Sequence, residues 1–292
     1  MIPRFFIARP VLANVLAILI VIIGAVALDA STSRPLRSDI QGSTILRALD
    51  RILPPSGPVL NALARFDPLP SVRGPAPDVP APTRRILASA GVRSARHSVV
   101  RVFGSACGLG VEGSGWVVAP ELVITNAHVV AGEVDTRIQI DGVGPGHPAR
   151  VIRFDPRNDI AVLQVPGLSL RPLAMAADAK VGTAAAILGY PLDGAFDAEP
   201  GRLGQTETVD TQDAYGQGHV QRSITALRGR VRPGNSGGPM VDGHGQVLAT
   251  VFAALTGTPR AGGFAVPNTL VRAALKKVRT STAAVSTGRC AG

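Results

Sequence analysis

The pattern of apolar and polar positions divides the chain into three unequal parts. Residues 11–28 are apolar on every helical face, and Asn14 is the only strongly polar residue among them. Residues 29–96 combine many prolines with scattered arginines. From residue 97 onward, short apolar runs alternate with Gly, Pro and Asp, which is typical of strands separated by turns. The pattern therefore predicts a hydrophobic helix, a linker and a β-rich domain.

The β-rich part, residues 97–292, predicts a mainly β fold with a single helix at its end. Twelve strands are enough for two six-stranded antiparallel barrels, the first over about 97–175 and the second over about 183–267. A helix is expected from Asn268 to about Val278, followed by a tail to residue 292. The predicted strands are 97–103, 113–119, 121–125, 134–140, 147–154, 159–165, 183–189, 200–208, 219–227, 239–242, 246–253 and 262–266.

The apolar segment 11–28 has the length of a transmembrane helix. At about 1.5 Å per residue it spans about 27 Å, close to the thickness of a bilayer core. Arg4 and Arg9 precede it, which predicts that residues 1–10 are cytoplasmic. The sequence Ala25-Val26-Ala27 also fits a signal-peptide cleavage site, although the long apolar run favours a retained single-pass anchor. Both alternatives place everything downstream outside the cytoplasm.

The segment 29–96 is predicted to be a basic, proline-rich juxtamembrane region and linker. Two stretches, 43–53 and 57–66, have the pattern of short amphipathic helices. The proline density over 67–83 excludes a regular helix or a central strand, so an extended spacer is expected there.

The positive charge of the chain is concentrated outside the β-rich domain. The net charge is +10, and residues 1–96 account for +7 of it with twelve arginines against five aspartates. Aromatic residues make up only 4% of the chain. A nucleic-acid-binding domain needs clustered positive charge, and often stacking aromatics, on a folded surface. Nucleic acid is therefore not an expected partner, whereas the basic segment could contact anionic lipid.

Three short motifs place a histidine, an aspartate and a serine in catalytic-triad order. His128 follows an apolar strand, Asp159 precedes another strand, and Ser236 lies in a turn bounded by glycines. A serine hydroxyl is a weak nucleophile that needs a neighbouring base, which the His128 imidazole can supply near neutral pH. Asp159 would orient the imidazole and stabilise its protonated form. The N–H groups of Gly234 and Ser236 could form an oxyanion hole.

No metal or cofactor site is predicted. The other histidines lack the spacing of metal ligands, and no Walker loop or dinucleotide-binding fingerprint occurs. They are His97, His147, His219 and His244.

The motifs GNSGGP, TNAHVV and DIAVL, with the later run GGFAVP, resemble those of chymotrypsin-fold serine proteases of the HtrA type. The resemblance covers roughly residues 97–279. Within this family, the membrane anchor, the spacer and an early and a late cysteine are most similar to the membrane-anchored acid-resistance proteases of mycobacteria. The resemblance implies a serine endopeptidase that hydrolyses protein or peptide substrates in the cell envelope through an acyl-enzyme, in envelope stress or acid resistance. It places the site between two barrels.

Two departures from these relatives stand out. Acid-resistance proteases usually have several transmembrane helices, whereas this chain shows one hydrophobic segment. HtrA proteins typically carry PDZ domains after the protease, but only 25 residues follow Pro267, so no PDZ domain is expected.

The two cysteines, Cys107 and Cys290, are too far apart for a zinc knuckle or a CxxC redox motif. Two separate buried thiols or one disulfide remain as alternatives, and an exported domain favours the disulfide. The resemblance implies the same disulfide, which would attach the C-terminal tail to the first barrel.

Residues near Ser236 bear on activation and substrate choice. Digestive relatives have an aspartate before the serine, which pairs with a newly cut N-terminal ammonium group. Asn235 cannot form that ion pair, so activity is not expected to depend on a freed N-terminus. By resemblance, Arg230 lies near the floor of the S1 pocket, and Arg232 is a second candidate. Cleavage after Lys or Arg is therefore not expected, and Arg230 either favours acidic side chains or points to solvent.

Two other functions fit the sequence less well than proteolysis. A catalytically silent relative would bind unfolded or envelope proteins, but such relatives usually lose a triad residue. An envelope interaction protein would use the basic N-terminal segment, and that role could coexist with proteolysis.

Overall fold

The computed structural model describes residues 71–73, 77–256, 261–278 and 282–291. The segment predicted to be cytoplasmic (1–10), the predicted transmembrane helix (11–28) and the two amphipathic stretches (43–53 and 57–66) lie outside these residues. Among the described residues, no helix is both long enough and apolar enough to cross a membrane.

The first sheet contains seven strands in the spatial order β6-β5-β2-β3-β4-β8-β7. The pairings resolved along this sheet are antiparallel. It contains one strand more than predicted, because the stretch 147–154 is divided into two strands. The strands are β2 (Val99–Ala106), β3 (Leu109–Ala119), β4 (Leu122–Thr125), β5 (Arg137–Ile140), β6 (His147–Pro148), β7 (Arg150–Asp155) and β8 (Ile160–Gln164).

The second sheet is a closed six-stranded barrel with one added edge strand. Its order is β1-β13-β12-β9-β10-β11-β14, and β13 also pairs with β14, which closes the ring. The added strand β1 pairs with β13 in the parallel direction. The strands are β1 (Ser71–Arg73), β9 (Ala184–Gly189), β10 (Asp197–Thr211), β11 (Val220–Gly229), β12 (Pro239–Val241), β13 (Val247–Thr256) and β14 (Gly262–Pro267).

Helices are few and short among the described residues. They are α1 (Ala90–Ala95), α2 (Ala127–Val130) and α3 (Asn268–Val278), and 3₁₀ turns cover Arg84–Ala88, Arg96–Ser98 and Pro191–Asp193. The helix α3 has the bounds that the sequence predicted. The first predicted strand starts two residues later than expected, because residues 96–98 form a 3₁₀ turn.

Within the described ranges, buried apolar side chains form three clusters. One fills the interior of the first sheet and another the interior of the second barrel. The third contains residues of both sheets, among them Trp116, Ile124, Leu188 and Phe252, and all four side chains are buried. This shared cluster packs the half of the first sheet formed by β3, β4, β8 and β7 against the second barrel, and its burial favours the joining of the two sheets.

Part of the predicted linker packs against the domain. Val92 and Ala95 of α1 are buried in the cluster that contains residues of both sheets. Val79 is also buried, and its carbonyl oxygen accepts a hydrogen bond from the Arg228 side chain at 2.6 Å. The spacer is extended where β1 forms, and that strand lies at the sheet edge.

Candidate active site

The pairing of β4 with β8 brings His128 and Asp159 together. In this antiparallel pair Thr125 lies opposite Ala161, so the end of β4 and the start of β8 are at the same edge of the sheet. His128 is in α2, directly after β4, and Asp159 directly precedes β8. The two side chains, 31 positions apart in sequence, are therefore neighbours.

His128 and Asp159 make two hydrogen bonds. The imidazole Nδ1 lies 2.7 Å from Oδ2 of Asp159, and the backbone N–H of His128 donates to Oδ1 at 2.9 Å. Both side chains are about 1% exposed. The side-chain amide of Asn126 donates to the Asp159 carbonyl oxygen at 2.8 Å. Asp159 has a φ of 56°, a left-handed conformation that Asp and Asn adopt more readily than most residues.

Charges around Asp159 keep its carboxylate ionised. Burial alone would raise the pKa of Asp159, but the electrostatic interaction and hydrogen bonds with His128 and the charge of Arg222 lower it below its ordinary value. Arg222 is 5% exposed, and its guanidinium carbon lies 4.5 Å from the centre of the Phe252 ring. Burial has the largest effect on the pKa of Arg222 and lowers it, and the nearby carboxylates of Asp159, Asp213 and Asp155 oppose this shift.

Ser236 follows a tight turn between β11 and β12. The Asn235 N–H donates to the Arg232 carbonyl oxygen at 3.0 Å, and Gly234 has a φ of 88°. These features fit a type II turn with Pro233 and Gly234 at its central positions, where proline and glycine are favoured. A Cβ atom at Gly234 would also lie 2.4 Å from the Tyr190 carbonyl oxygen, so only glycine fits.

The serine loop (residues 232–238) packs against Asn126, in the segment that connects β4 to His128. The Ser236 side chain is fully buried, and the Ser236 carbonyl oxygen accepts a hydrogen bond from the Ser114 N–H at 2.7 Å. A Cβ atom at Gly237 would lie 3.1 Å from the Asn126 nitrogen. Within the described residues, the His128 Nε2 atom and the Ser236 Oγ atom are both buried without a hydrogen-bond partner. Catalytic hydrogen bonds are often long in substrate-free enzymes and shorten when substrate binds.

The backbone N–H groups of the serine loop differ in whether they donate a hydrogen bond. Asn235, Gly237 and Gly238 donate their N–H groups to backbone carbonyls at 2.8 to 3.0 Å. In the part of the chain that the structure describes, the N–H groups of Gly234 and Ser236 have no hydrogen-bond acceptor. These are the two N–H groups that the sequence analysis predicted as donors of an oxyanion hole.

Known proteins match this chain over most of its length. Residues 113–249 match the family model of the trypsin-like peptidase domain. Serine protease Rv3671c of Mycobacterium tuberculosis is 35% identical over 282 residues, which cover 91% of this chain and 70% of that protein. The active form of Rv3671c superposes with a TM-score of 0.70 at 36% identity, covering 76% of this chain and 98% of that structure. The chain belongs to the trypsin-like serine proteases.

HtrA proteins are more distant relatives of this serine protease. A Do-like HtrA of Lactococcus lactis is 30% identical over 54% of this chain and 41% of its own length. The inactive form of Rv3671c has a TM-score of 0.60 at 35% identity, covering 68% of this chain and 98% of that structure. The HtrA-type protease AlgW has a TM-score of 0.57 at 22% identity, covering 68% of this chain and 63% of that structure, and shows a shared fold. The predicted mainly β fold with two sheets and a C-terminal helix is therefore confirmed, and the protease is of the HtrA and trypsin-like type. The first sheet has seven strands instead of the predicted six, and the predicted transmembrane helix lies outside the described residues.

The two arginines predicted at the substrate pocket differ in their surroundings. Arg230 is exposed, whereas Arg232 pairs with Asp197 and with Glu199, the latter at 3.1 Å. Between them, Val231 faces Gly263, where an added Cβ atom would lie 2.7 Å from a Val231 methyl group. The side chain at this point of the serine protease is therefore apolar, and the positive charge of Arg232 is balanced.

The predicted disulfide is present. Both cysteines are disulfide-bonded, and neither Cys107 nor Cys290 is free. The tail before Cys290 also bonds to the domain, since the Val285 N–H donates to the Val151 carbonyl oxygen at 2.8 Å and the Tyr215 hydroxyl donates to the Thr287 carbonyl oxygen at 3.0 Å.

Among the described residues, no group of three or more His, Cys, Asp or Glu side chains could hold a metal ion.

Three polar residues of the site were missed in the sequence. Asn126 lies within the quoted TNAHVV motif, two residues before His128, so position alone could have suggested a supporting role. Ser114 and Arg222 lie on strands whose sequences carry no catalytic motif. Only the pairing and packing of distant strands brings them to the site.

Proposed function

We propose that this serine protease hydrolyses peptide bonds with Ser236 as nucleophile, His128 as general base and acid, and Asp159 as the residue that orients His128. The 2.7 Å contact between His128 Nδ1 and Asp159 Oδ2 carries this proposal. It holds the proton of neutral His128 on Nδ1, so Nε2 keeps its lone pair for the serine proton. Among the described residues, neither Ser236 Oγ nor His128 Nε2 is engaged in a hydrogen bond with another group, so both are free for this proton transfer.

The reaction follows from these assignments in two steps. Ser236 Oγ attacks the carbonyl carbon of the scissile bond while His128 Nε2 takes the serine proton. His128 then gives this proton to the leaving amine, and an acyl-enzyme remains. In the second step water loses a proton to His128 and attacks the carbonyl carbon of the ester. The bond from this carbon to Ser236 Oγ then breaks, His128 returns the proton to Oγ, and the acid product leaves.

We assign stabilisation of the tetrahedral intermediates to the N–H groups of Gly234 and Ser236. Their lack of other acceptors among the described residues supports this role. Each donor of this kind contributes about 3–4 kcal/mol to transition-state stabilisation in proteases where it has been measured.

We further propose that residues 11–28 anchor the enzyme in the membrane, with residues 29–96 as juxtamembrane segment and linker. The protease domain, from about residue 97 to residue 292, would then act outside the cytoplasm on envelope proteins. The Cys107–Cys290 disulfide supports this location, because disulfides persist in oxidising compartments. The relative Rv3671c is itself a serine protease.

A buried carboxyl group favours stability of the fold at acidic pH, which is consistent with a protease that acts in acid. The Glu133 side chain is buried, its Oε2 accepts a hydrogen bond from the Thr136 hydroxyl at 2.5 Å, and its Oε1 has no partner within the described residues. Burial, with a smaller contribution from Asp135, raises the pKa of Glu133 to about 8, although the Thr136 hydrogen bond opposes the shift. Glu133 therefore stays neutral in acid, and the fold retains this residue's contribution there.

A fluorophosphonate probe tests the proposed nucleophile. Such probes label only activated serines, so the parent protein should be labelled and the variant Ser236→Ala should not. Ser98→Ala is the matched control, because Ser98 is a buried serine whose hydroxyl donates to the Arg171 carbonyl oxygen away from the site. Folded parent protein that stays unlabelled from acid to neutral pH would instead support the silent binding module.

A further inference from the structure

Ser114 is a buried residue of β3 that joins the first sheet to the serine loop. Its side chain is fully buried. Its N–H donates to the Ser236 carbonyl oxygen at 2.7 Å, and its own carbonyl oxygen accepts the Thr125 hydroxyl at 2.8 Å. The backbone next to the proposed nucleophile is thus bonded directly to a strand of the other sheet.

The Ser114 hydroxyl links two backbone groups of the second barrel. The Tyr190 N–H donates to Ser114 Oγ at 2.9 Å, and Ser114 Oγ donates to the Gly234 carbonyl oxygen at 2.6 Å. A hydroxyl group has one proton to donate, so the bond from Tyr190 leaves that proton for Gly234. One residue earlier in the loop, the Pro233 carbonyl oxygen accepts the Leu192 N–H at 2.8 Å.

Both peptide planes that flank Gly234 are therefore held through their carbonyl groups. In a trans peptide the carbonyl and the N–H point in opposite directions, so fixing one fixes the other. The Pro233 carbonyl shares its peptide with the Gly234 N–H. Turns of types I and II differ by a rotation of this central peptide, and Gly234 has no Cβ atom to resist such a rotation.

We propose that Ser114 is a positioning residue for the oxyanion hole. Its hydroxyl group holds the Gly234 carbonyl, which fixes the Gly234–Asn235 peptide, and it also accepts the Tyr190 N–H. Tyr190 lies two residues before Leu192, whose N–H holds the Pro233–Gly234 peptide. Ser114 thereby supports both peptides that flank Gly234 and keeps the Gly234 N–H directed at the developing oxyanion. Ser114 touches no reacting atom itself. The inference rests on the proposed function, because the Gly234 N–H has this task only when Ser236 attacks a carbonyl carbon.

The two roles open to Ser114 predict different kinetics. An oxyanion-hole donor acts mainly in the transition state, so a misdirected Gly234 N–H should lower kcat and leave KM nearly unchanged. Removing one such donor costs about 10²–10³ in kcat, and misdirecting it should cost about 10–100-fold. A merely structural serine would lower thermal stability and leave the kcat of the folded enzyme unchanged.

The test compares Ser114→Ala with Ser98→Ala in the full-length protein. Measurements are kcat and KM on a peptide substrate, the affinity of a peptide boronate whose tetrahedral oxygen occupies the oxyanion hole, and the melting temperature. For Ser114→Ala, kcat and boronate affinity should fall by similar factors of about 10–100 with KM nearly constant. For Ser98→Ala, only the melting temperature should fall.

A second variant, Ser114→Cys, keeps nearly the same size and a weak hydrogen-bond donor. Its kcat should lie between those of the parent and Ser114→Ala, and it serves in place of the alanine variant if that variant does not fold. Unchanged kcat and boronate affinity in a folded Ser114 variant would overturn the proposal. If the proposed function itself fails, the parent already lacks hydrolysis and boronate binding and behaves like Ser236→Ala.

Discussion

The side-chain oxygen of Asn235 accepts a hydrogen bond from the backbone N–H of Arg232 at 2.8 Å. The serine loop is thus closed by two of its own residues, and the Asn235 side chain is 1% exposed. Because Asn235 is uncharged, it cannot form the ion pair with an N-terminal ammonium group that an aspartate at this position forms in digestive proteases. The serine loop is therefore stabilised by a hydrogen bond between two of its own residues.

Activity should consequently be independent of a freed N-terminus. A chain that begins at Ser71 and carries a short N-terminal extension should have the same kcat as one that begins at Ser71 without it. This start retains Val79 and α1, which pack on the domain. Hydrolysis of a peptide substrate and circular dichroism provide the comparison. A folded but inactive extended protein would contradict the prediction.

Asp159→Asn should lower kcat by about 10⁴, and it should also lower stability, because the buried Arg222 guanidinium loses a neighbouring carboxylate. The amide oxygen can still accept the His128 N–H, but the amide nitrogen would face His128 Nδ1. The imidazole then carries its proton on Nε2, where it cannot take the serine proton. Steady-state kinetics and thermal melting measure both effects, with exposed Asp178→Asn as control. A kcat near the parent value in the Asp159 variant would exclude the assigned role.

Glu133→Gln should flatten the dependence of stability on pH. The pKa of Glu133 is raised to about 8 in the folded protein, above its ordinary value of 4.5. Its contribution to stability is therefore complete below the unfolded pKa and is lost as pH rises through the folded pKa. The free energy of unfolding should fall by up to about 1.4 kcal/mol per pH unit in this interval. Urea unfolding of both proteins at several pH values tests this, and parallel curves would contradict it.

Reduction of the disulfide should lower the melting temperature. The Cys107–Cys290 bond closes a long loop, which corresponds to about 4–5 kcal/mol in the chain-entropy model. The double variant Cys107→Ser, Cys290→Ser should melt at a lower temperature and should no longer respond to thiol. Scanning calorimetry with and without reductant gives the comparison. A parent melting temperature that reductant leaves unchanged would mean that the disulfide does not stabilise the fold.

Cleavage should favour apolar side chains at P1 over basic ones. If the S1 floor lies at 230–232, it offers Val231 against Gly263, with Arg232 neutralised by Asp197 and Glu199. Because Arg230 is exposed, Arg230→Ala should leave the preference unchanged. A peptide library assayed with both proteins decides this, and strong cleavage after Lys or Arg would refute it.

The local motifs were enough to propose His128, Asp159 and Ser236 as the triad, because each lies beside a strand and a turn with a recognisable sequence. The contacts around them depend on partners distant in sequence. Ser114 meets Gly234 across 120 positions, so no window of neighbouring residues could reveal the bond. Arg222 is similar: a basic residue on a strand is ordinarily solvated, and only packing against Phe252 buries it.

The predicted linker shows the same limit in the fold. Proline density correctly suggested extended chain near β1, since proline restricts the backbone locally. Composition could not show that Val92 and Ala95 enter the core, because the sequence of a short apolar stretch does not indicate which surface it packs against. The division of 147–154 into two strands likewise depends on the separate partners β5 and β8.

The left-handed backbone at Asp159 limits how this protease could lose its activity in evolution. Most side chains would cost about 1–2 kcal/mol in that conformation, whereas Asn and Gly adopt it readily. A lineage that kept the fold while replacing Asp159 would therefore do so most easily with Asn or Gly. Asn or Gly at position 159, beside an intact histidine and serine, would identify a retired enzyme.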